Sequence, residues 1–520
     1  MRRILIGLAM VLLTICGPAA RASDKPPVEA ESKPTKQSTE APKAEQSATQ
    51  HRIAIGGALI SYTATAGTLI VRDAKDLPCA SMGFFAYTKN DVADTGRRPI
   101  TFAYNGGPGS SSVWLHMGAL GPRRIVTSDA TATPPPPYKI VDNEYSILDT
   151  TDFVMIDPVG TGFSKAVGEA RDKDFWGVDP DIESVSSFIR QYVTDTGRWN
   201  SPKYLLGESY GTTRSAGVVD YLQTKVGMAF NGVILVSMAT DLDAILDSLV
   251  DGARYHQFQA PLYLPSYAAV AWYHKALPDR PAELGPFLDE VRAFALSEYA
   301  HALALGNRLP DVERRAIIEM LRRYTGLSST YLDRADLQVS VSQFTKELLR
   351  DRRELVGFLD ARFLGVTFNP LGETAEYDPM DSATSPAFVA AFLDYLHRDL
   401  NFGQRSTYVI QADAWRTWDY AHKIEGTEMP QPMVNTGIDL AHAVAYNPNL
   451  RALVLQGIYD LGSPLLATEY MVSHLDLRKD LWPHIEVKYY EAGHMMYLHE
   501  PSLKKFKSDV AAFIRDTDRL

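Results

Sequence analysis

Gly207-Glu208-Ser209-Tyr210-Gly211 is the stretch of this sequence with the clearest chemical potential. It is a G-x-S-x-G pattern between a short apolar run, residues 203–206, and a stretch of helical character. A serine on a sharp strand-to-helix turn is held in a strained conformation with its Oγ in the open. The helix N-terminus behind it favours developing negative charge. An ordinary Gly-rich turn satisfies the same five-residue pattern, so partners are needed. A serine hydroxyl is a weak nucleophile at neutral pH and requires a base. In the chain order Ser, acid, His, two later residues qualify. Asp460 follows the apolar run 452–455, and His494 follows the run 485–490. His494 takes the Ser209 proton and returns it to the leaving group, while Asp460 orients and stabilises the imidazole. Alone, Asp460 reads equally as a turn aspartate and His494 as a structural histidine. The ordered set of three, each after a strand, points to acyl-transfer chemistry.

Such chemistry also needs an oxyanion hole. Asn105-Gly106-Gly107-Pro108-Gly109-Ser110-Ser111-Ser112 follows the run 100–104, and its glycines let backbone N–H groups approach a substrate oxygen. The Gly107 and Tyr210 amides are the expected donors. A phosphate loop is the competing reading, but the Gly-Lys-Ser/Thr ending is missing.

The elements that must position these residues are short runs rich in β-branched and aromatic residues at 69–71, 82–87, 100–104, 153–156, 204–206, 232–236 and 452–455. Helical stretches such as 181–192 and 215–224 lie between them. Near-continuous apolarity marks the later runs as strands covered on both faces, and strand–helix alternation means an α/β fold. Parallel strands deliver their following loops to one sheet edge, which is how Ser209, Asp460 and His494 come together. The stretch 241–436 is different in character and mostly helical, as at 286–296, 312–324 and 339–349. We expect core segments at 51–240 and 437–520 with a helical cap inserted between them.

With 52 Lys and Arg against 63 Asp and Glu, the chain carries a net charge of −11 and makes a poor nucleic-acid binder. Two cysteines, Cys16 and Cys79, cannot build a disulfide scaffold or a four-cysteine zinc site. No metal-ligand spacing stands out, so neither metal nor cofactor is expected. His116, His499, Trp114, Phe163 and Trp176 read as packing or pocket-wall residues. Residues 1–22 have the pattern of a secretory signal: Arg2 and Arg3, an apolar run 4–15, and Ala20-Arg21-Ala22. The run is too short to span a bilayer, and bulky Ile15 disfavours lipid attachment at Cys16. Residues 23–50 read as a polar, flexible linker, and Pro134-Pro135-Pro136-Pro137 as an extended surface loop. The expected location is periplasmic or secreted, with no stable membrane insertion after cleavage. Oligomeric state is not legible.

Four motifs resemble the serine carboxypeptidase family of α/β-hydrolases: residues 105–112 with Leu120-Gly121-Pro122 downstream, Asp157-Pro158-Val159-Gly160-Thr161-Gly162-Phe163-Ser164, Gly207-Glu208-Ser209-Tyr210-Gly211, and Gly493-His494-Met495. The resemblance implies an α/β-hydrolase fold and hydrolysis of a peptide at its free C-terminus. By position it gives Ser209, Asp460 and His494 the catalytic roles and Gly107 and Tyr210 the oxyanion roles. It also implies that Asn105, Gly106 and Glu208 bond the substrate's terminal carboxylate, which Glu208 can do only when protonated. The sequence departs from the family pattern at Ser110, which replaces a disulfide cysteine. It departs again at Ala103, in place of a tryptophan, and at Ala119, in place of a glutamate that would pair with Glu208. Arg123, Arg124 or Arg214 could stand in for that missing partner. These departures keep an esterase or acyltransferase on the same scaffold as the alternative.

Overall fold

The structure, a computed structural model, describes residues 43–245 and 258–518. The expected signal 1–22 and most of the linker lie outside the described residues. The sheet grows from the apolar runs. Its strands are β1 (Gln46–Ile55), β2 (Ala58–Arg72), β3 (Pro78–Lys89), β4 (Ile100–Tyr104), β5 (Asp152–Ile156), β6 (Lys203–Glu208), β7 (Gly232–Val236), β8 (Arg451–Gly457) and β9 (Ile485–Tyr490). Their order across the sheet is β1-β2-β3-β5-β4-β6-β7-β8-β9. The first three strands and the β3–β5 pairing are antiparallel; from β5 to β9 every pairing is parallel.

Every residue of β4, β5, β6 and β7 is buried, as a parallel sheet covered on both sides requires. Side chains alternate between two cores. Phe102, Val154, Leu205, Val233 and Val454 face a layer with the helices α1 (Val178–Asp195) and α2 (Tyr210–Tyr221). Ala103, Met155, Leu206, Ile234 and Leu455 face the opposite layer, with α3 (Pro379–Arg398) and α4 (Glu500–Thr517). This is the α/β-hydrolase fold.

Strand order reverses at β4, because β5 lies on one side of it and β6 on the other. The loops leaving β4 and β6 therefore face each other across the switch point, where open α/β sheets place their ligands. Tyr104 is in register with Gly207, which sets Asn105 beside Glu208.

The helical excursion departs and returns at one place. Asp241 pairs antiparallel with Asn435, and Thr436 N–H donates to Thr240 O at 2.8 Å. Between these points lie the helices Leu284–Phe294, Asp311–Thr325 and Val341–Glu347, α3, and a small hairpin, Glu354–Val356 with Leu364–Val366.

The folded body starts earlier than its composition suggests. Residues 46–50 fall within the expected linker, yet β1 begins at Gln46, opposite Gly67. Its polar residues alternate between half-buried and exposed. Ile53 and Ile55 bury at the far end of the strand, but over residues 46–50 backbone pairing to the long β2 is what extends it, and hydropathy does not register that part. Pro134 to Pro137 are exposed and outside regular structure.

Candidate active site

Ser209 stands between β6 and α2 with φ 59° and ψ −130°, a conformation that costs a non-glycine residue about 1–3 kcal/mol. The fold holds it there. Ser209 N–H donates to Val236 O on the neighbouring strand at 2.9 Å, and Ser209 O accepts from Thr212 N–H at 2.8 Å. Gly207 is required, because a Cβ there would lie 2.0 Å from Gly211 O. Tyr210 opens α2, so its N–H has no acceptor within the helix.

The β4 loop lies directly against this turn. A Cβ on Gly106 would fall 2.5 Å from Tyr210 N, so only glycine lets the loop approach. Gly107 lines the same cavity as Ser209 and Tyr210. Asn105 is buried and held at both ends of its amide. Its Nδ2 donates to Glu208 Oε1 at 2.7 Å, and its Oδ1 accepts from Leu115 N–H at 3.0 Å. Arg214, fully buried, donates to Asn105 O at 2.8 Å and pairs with Asp181 at 2.7 Å. Asp157, from the Asp-Pro-Val-Gly motif, ties down the far side by accepting from Ser112 N–H at 2.9 Å and Tyr408 OH at 3.0 Å. Burial raises its pKa to about 7.

Asp460 and His494 arrive from the ends of β8 and β9. His494 Nδ1 lies 2.8 Å from Asp460 Oδ2, and Asp460 Oδ1 accepts from the Gly462 and Ser463 amides at 2.8 and 2.9 Å. This pairing orients the imidazole and leaves Nε2 as the ring nitrogen not engaged by Asp460. Burial works against a charged ring. Asp460, by charge and hydrogen bond, and then Glu208 and Asp378 outweigh it, so the His494 pKa is raised.

Ser209, Tyr210, Gly107, Asn105, Gly106, Glu208 and His494 line one cavity of about 430 Å³. Asp460 lies behind His494 and is fully buried. Much of the remaining wall is apolar, with Leu242, Ile245, Phe358, Leu359, Met380 and Trp415. No lysine or arginine is among the described residues that line it. Arg123 and Arg124 pair with Asp142 and Glu500, and Arg214 lies beneath the loop, so none of the three faces Glu208 across the cavity.

Ala119 is buried on the turn His116–Leu120, and Tyr497 comes up beside Glu208. Gly118 makes room for it, since a Cβ there would meet the Tyr497 ring at 2.5 Å. Burial raises the Glu208 pKa to about 7, against the lowering effects of His494, Tyr497 and Asn105. Glu208 Oε2 and the Tyr497 hydroxyl are both buried side by side, and hydrogen bonding from the phenol is one of the effects that hold the Glu208 pKa down. Desolvation thus does to Glu208 what a second carboxylate would do.

At the other departure, Ser110 lies in a backbone pairing with the insertion. Ser110 bridges to Gln411, Ser111 N–H donates to Ile410 O at 2.9 Å, and Ala412 N–H donates to Gly109 O at 2.8 Å. Residues 358–361, Asp378, Trp415 and Tyr497 escaped the sequence reading. All but Tyr497 lie in the insertion, which carries no recognisable motif. Tyr497 follows His494 by three residues and was the one within reach.

His116 is buried among Tyr87, Phe85 and Phe392, and burial lowers its pKa to about 3. His499 bonds the Ser502 hydroxyl at 2.8 Å. Phe163 packs on Phe402 and Tyr408, and Trp114 lines the cavity. Away from the site, Asp220, Glu425 and His442 bring ligand-type atoms within 4.8 Å of one another. Their own contacts occupy them: His442 with Asp220 at 2.8 Å, and Lys225 with Glu425 at 2.5 Å.

A strained serine after a parallel strand, a histidine–aspartate pair from two later strand ends, and backbone amides at the switch point define an α/β-hydrolase site. Residues 73–259 match the sequence profile of the family described as serine carboxypeptidase. A stretch of 134 residues is 34% identical to the pheromone-processing carboxypeptidase KEX1 of Saccharomyces cerevisiae, covering 24% of this chain and 17% of that protein. The chain thus matches less than a fifth of that relative's length. The crystal structure of a Saccharomyces cerevisiae prohormone-processing carboxypeptidase aligns over 87% of this chain and 91% of its own, at 16% identity and TM-score 0.54. Over residues 73–259 the chain is similar in sequence to the serine carboxypeptidases, and over most of its length it shares the fold of one of them.

Proposed function

We propose that this protein is a serine-type carboxypeptidase that removes C-terminal residues from peptides through an acyl-enzyme. Ser209 Oγ attacks the last peptide carbonyl while His494 Nε2 takes its proton and Asp460 stabilises the imidazolium. The Gly107 and Tyr210 amides receive the oxyanion. His494 then protonates the departing amino group, and water repeats the sequence to free the acid. Asn105, Gly106 and Glu208 bind the terminal carboxylate. One observation carries this reading: Glu208, adjacent to the nucleophile, faces the cavity with a pKa of about 7 and bonds Asn105. A protonated carboxyl donates to a substrate carboxylate where an ionised one repels it.

The cavity wall, apolar and without lysine or arginine among its described residues, favours a second reading, an esterase or acyltransferase. Turnover of a blocked dipeptide, its C-terminal amide and the matching ester separates the two. Release of the last residue from the free acid alone is expected; ester turnover without peptide cleavage rejects the peptidase. Ser209→Ala abolishes turnover in a folded protein, and retained activity removes Ser209 from the mechanism. We also propose export, supported by Arg2, Arg3, the apolar run and Ala20-Arg21-Ala22. Among the described residues no helix is long and apolar enough to cross a membrane. N-terminal sequencing of the expressed protein, expected to begin at Ser23, tests it.

A further inference from the structure

The Asp460 and His494 loops do not stand on the sheet alone. A segment of the insertion, residues 358–361, is wedged between them and bonds both. Leu461 N–H donates to Phe358 O at 3.2 Å, Ala361 N–H to Tyr459 O at 3.0 Å, and His494 N–H to Leu359 O at 2.7 Å. The fit is close: a Cβ on Gly493 would lie 2.5 Å from Leu359 O and from Asp360 Cα. On Gly462 a Cβ would sit 3.3 Å from the Leu359 side chain and 3.5 Å from His494 Nδ1.

One carboxylate sets this wedge. Asp378 Oδ1 accepts from Phe358 N–H at 3.0 Å, and its Oδ2 accepts from Leu359 N–H at 3.1 Å. Oδ1 also accepts from Met380 N–H at 3.0 Å, which caps α3. Phe358, Leu359 and Met380 all line the cavity. Three amides thus converge on one side chain, and two of them belong to the segment that bonds the acid and base loops.

We propose that Asp378 is a positioning residue for the base, acting through Phe358 and Leu359 to hold the Asp460–His494 pair in register with Ser209. This rests on the reading of Ser209, Asp460 and His494 as a working triad. A displacement of about 1 Å at such a pair costs on the order of 100-fold in rate. Asp378 also acts on the ring by charge. The titratable groups facing His494 are Asp460, Glu208 and Asp378, with the Asp360–Arg362 pair behind Gly493. Burial raises Asp378's own pKa to about 6, so above that pH its charge supports the protonated ring and removing it lowers the His494 pKa.

The test compares wild type, Asp378→Ala, Asp378→Asn and a control, Asp394→Ala, which alters an exposed pair with Arg398 on the same helix. Labelling of Ser209 by a fluorophosphonate probe, kcat and KM on an ester, near-UV circular dichroism and the acid limb of kcat/KM are measured. Asp378→Ala is expected to fall roughly 10- to 100-fold in labelling rate and kcat, with KM within about threefold and the folded signal intact. Asp378→Asn keeps the two bonds to Oδ1 and loses the one to Leu359 N–H. It falls less, and its acid limb moves to lower pH. Asp394→Ala matches wild type. Labelling of Asp378→Ala at the wild-type rate, or a loss confined to KM, overturns the inference. If Asp378→Ala does not fold, Asp378→Asn decides: wild-type kcat with an unmoved limb overturns it. Wild type that resists the probe defeats the triad reading itself, whereas labelled wild type with an equally reactive Asp378→Ala defeats only the role of Asp378.

Discussion

Ser209 and His494 share a cavity, yet they are held by different parts of the chain. The serine itself is fixed by the sheet, although the neighbouring loop after β4 also pairs with residues 410–412 of the insertion. Ser209 bonds the neighbouring strand through Val236 O, Gly106 lies against Tyr210 N, and Asn105 joins Glu208 across the β4–β6 register. The histidine side rests on the sheet and the insertion together: Ser237 Oγ donates to His494 O, while Leu359 O accepts from His494 N–H and Phe358 O from Leu461 N–H. The serine side lies within the stretch that matches the family profile, and the histidine side lies beyond it. A nucleophile set by neighbouring strands tolerates no variation in its supporting backbone. A base set by an excursion of the chain couples chemistry to whatever shapes the pocket.

The largest break in this comparison comes from Gly106→Ala. The new methyl group collides with the Tyr210 amide, and kcat falls on the order of 100-fold or more on both ester and peptide substrates. Steady-state kinetics with a thermal melt check it; a normal kcat shows that the loop yields there. Next comes Glu208→Gln. The wild-type carboxyl is protonated below about pH 7 and charged above it, so peptide turnover declines as pH rises through that value. In the glutamine variant this decline is absent, and peptide kcat/KM drops roughly tenfold at pH 5.5 while ester turnover changes less. Parallel pH profiles on the two substrates measure it.

The smallest effect belongs to a tie remote from the cavity chemistry. His422 joins the insertion to α1 through Asp179 at 2.6 Å, and bonds Asp439 at 3.0 Å. Burial opposes its charge, but the two carboxylates outweigh it and raise its pKa to about 9. The folded-state value exceeds the unfolded one, so the stabilisation is complete below about pH 6.5 and lost as pH climbs through 9. His422→Gln lowers the melting temperature at pH 7 by a few degrees, the gap closes near pH 10, and kcat stays within twofold. A pH-independent gap rejects the charge; a large kcat loss shows that this end of the insertion also governs the site.

What the sequence made legible follows the same division. The strand β6 is short, apolar and followed by Gly207-Glu208-Ser209-Tyr210-Gly211, so element and function are encoded within a dozen consecutive residues. Asp460 and His494 were reachable because each closes an apolar strand. Residues 358–361 and Asp378 were not: the former bond backbone atoms of the distant loops at 459–461 and 494, the latter bonds backbone amides within the insertion, and no side-chain pattern records such contacts. The edge strand β1 escaped for a related reason: its polar residues are ordered by pairing with β2 rather than by burial. Ala119 was noticed as a departure, but the environment of Glu208 depends on Tyr497, which only the fold brings near.

The join between Ser110 and Gln411 consists entirely of main-chain hydrogen bonds. Thiol reductants have nothing to cut there, and no oxidase or isomerase is needed to close the join during folding. The contacts that hold the loop after β4 to the insertion therefore do not depend on the thiol potential of their surroundings.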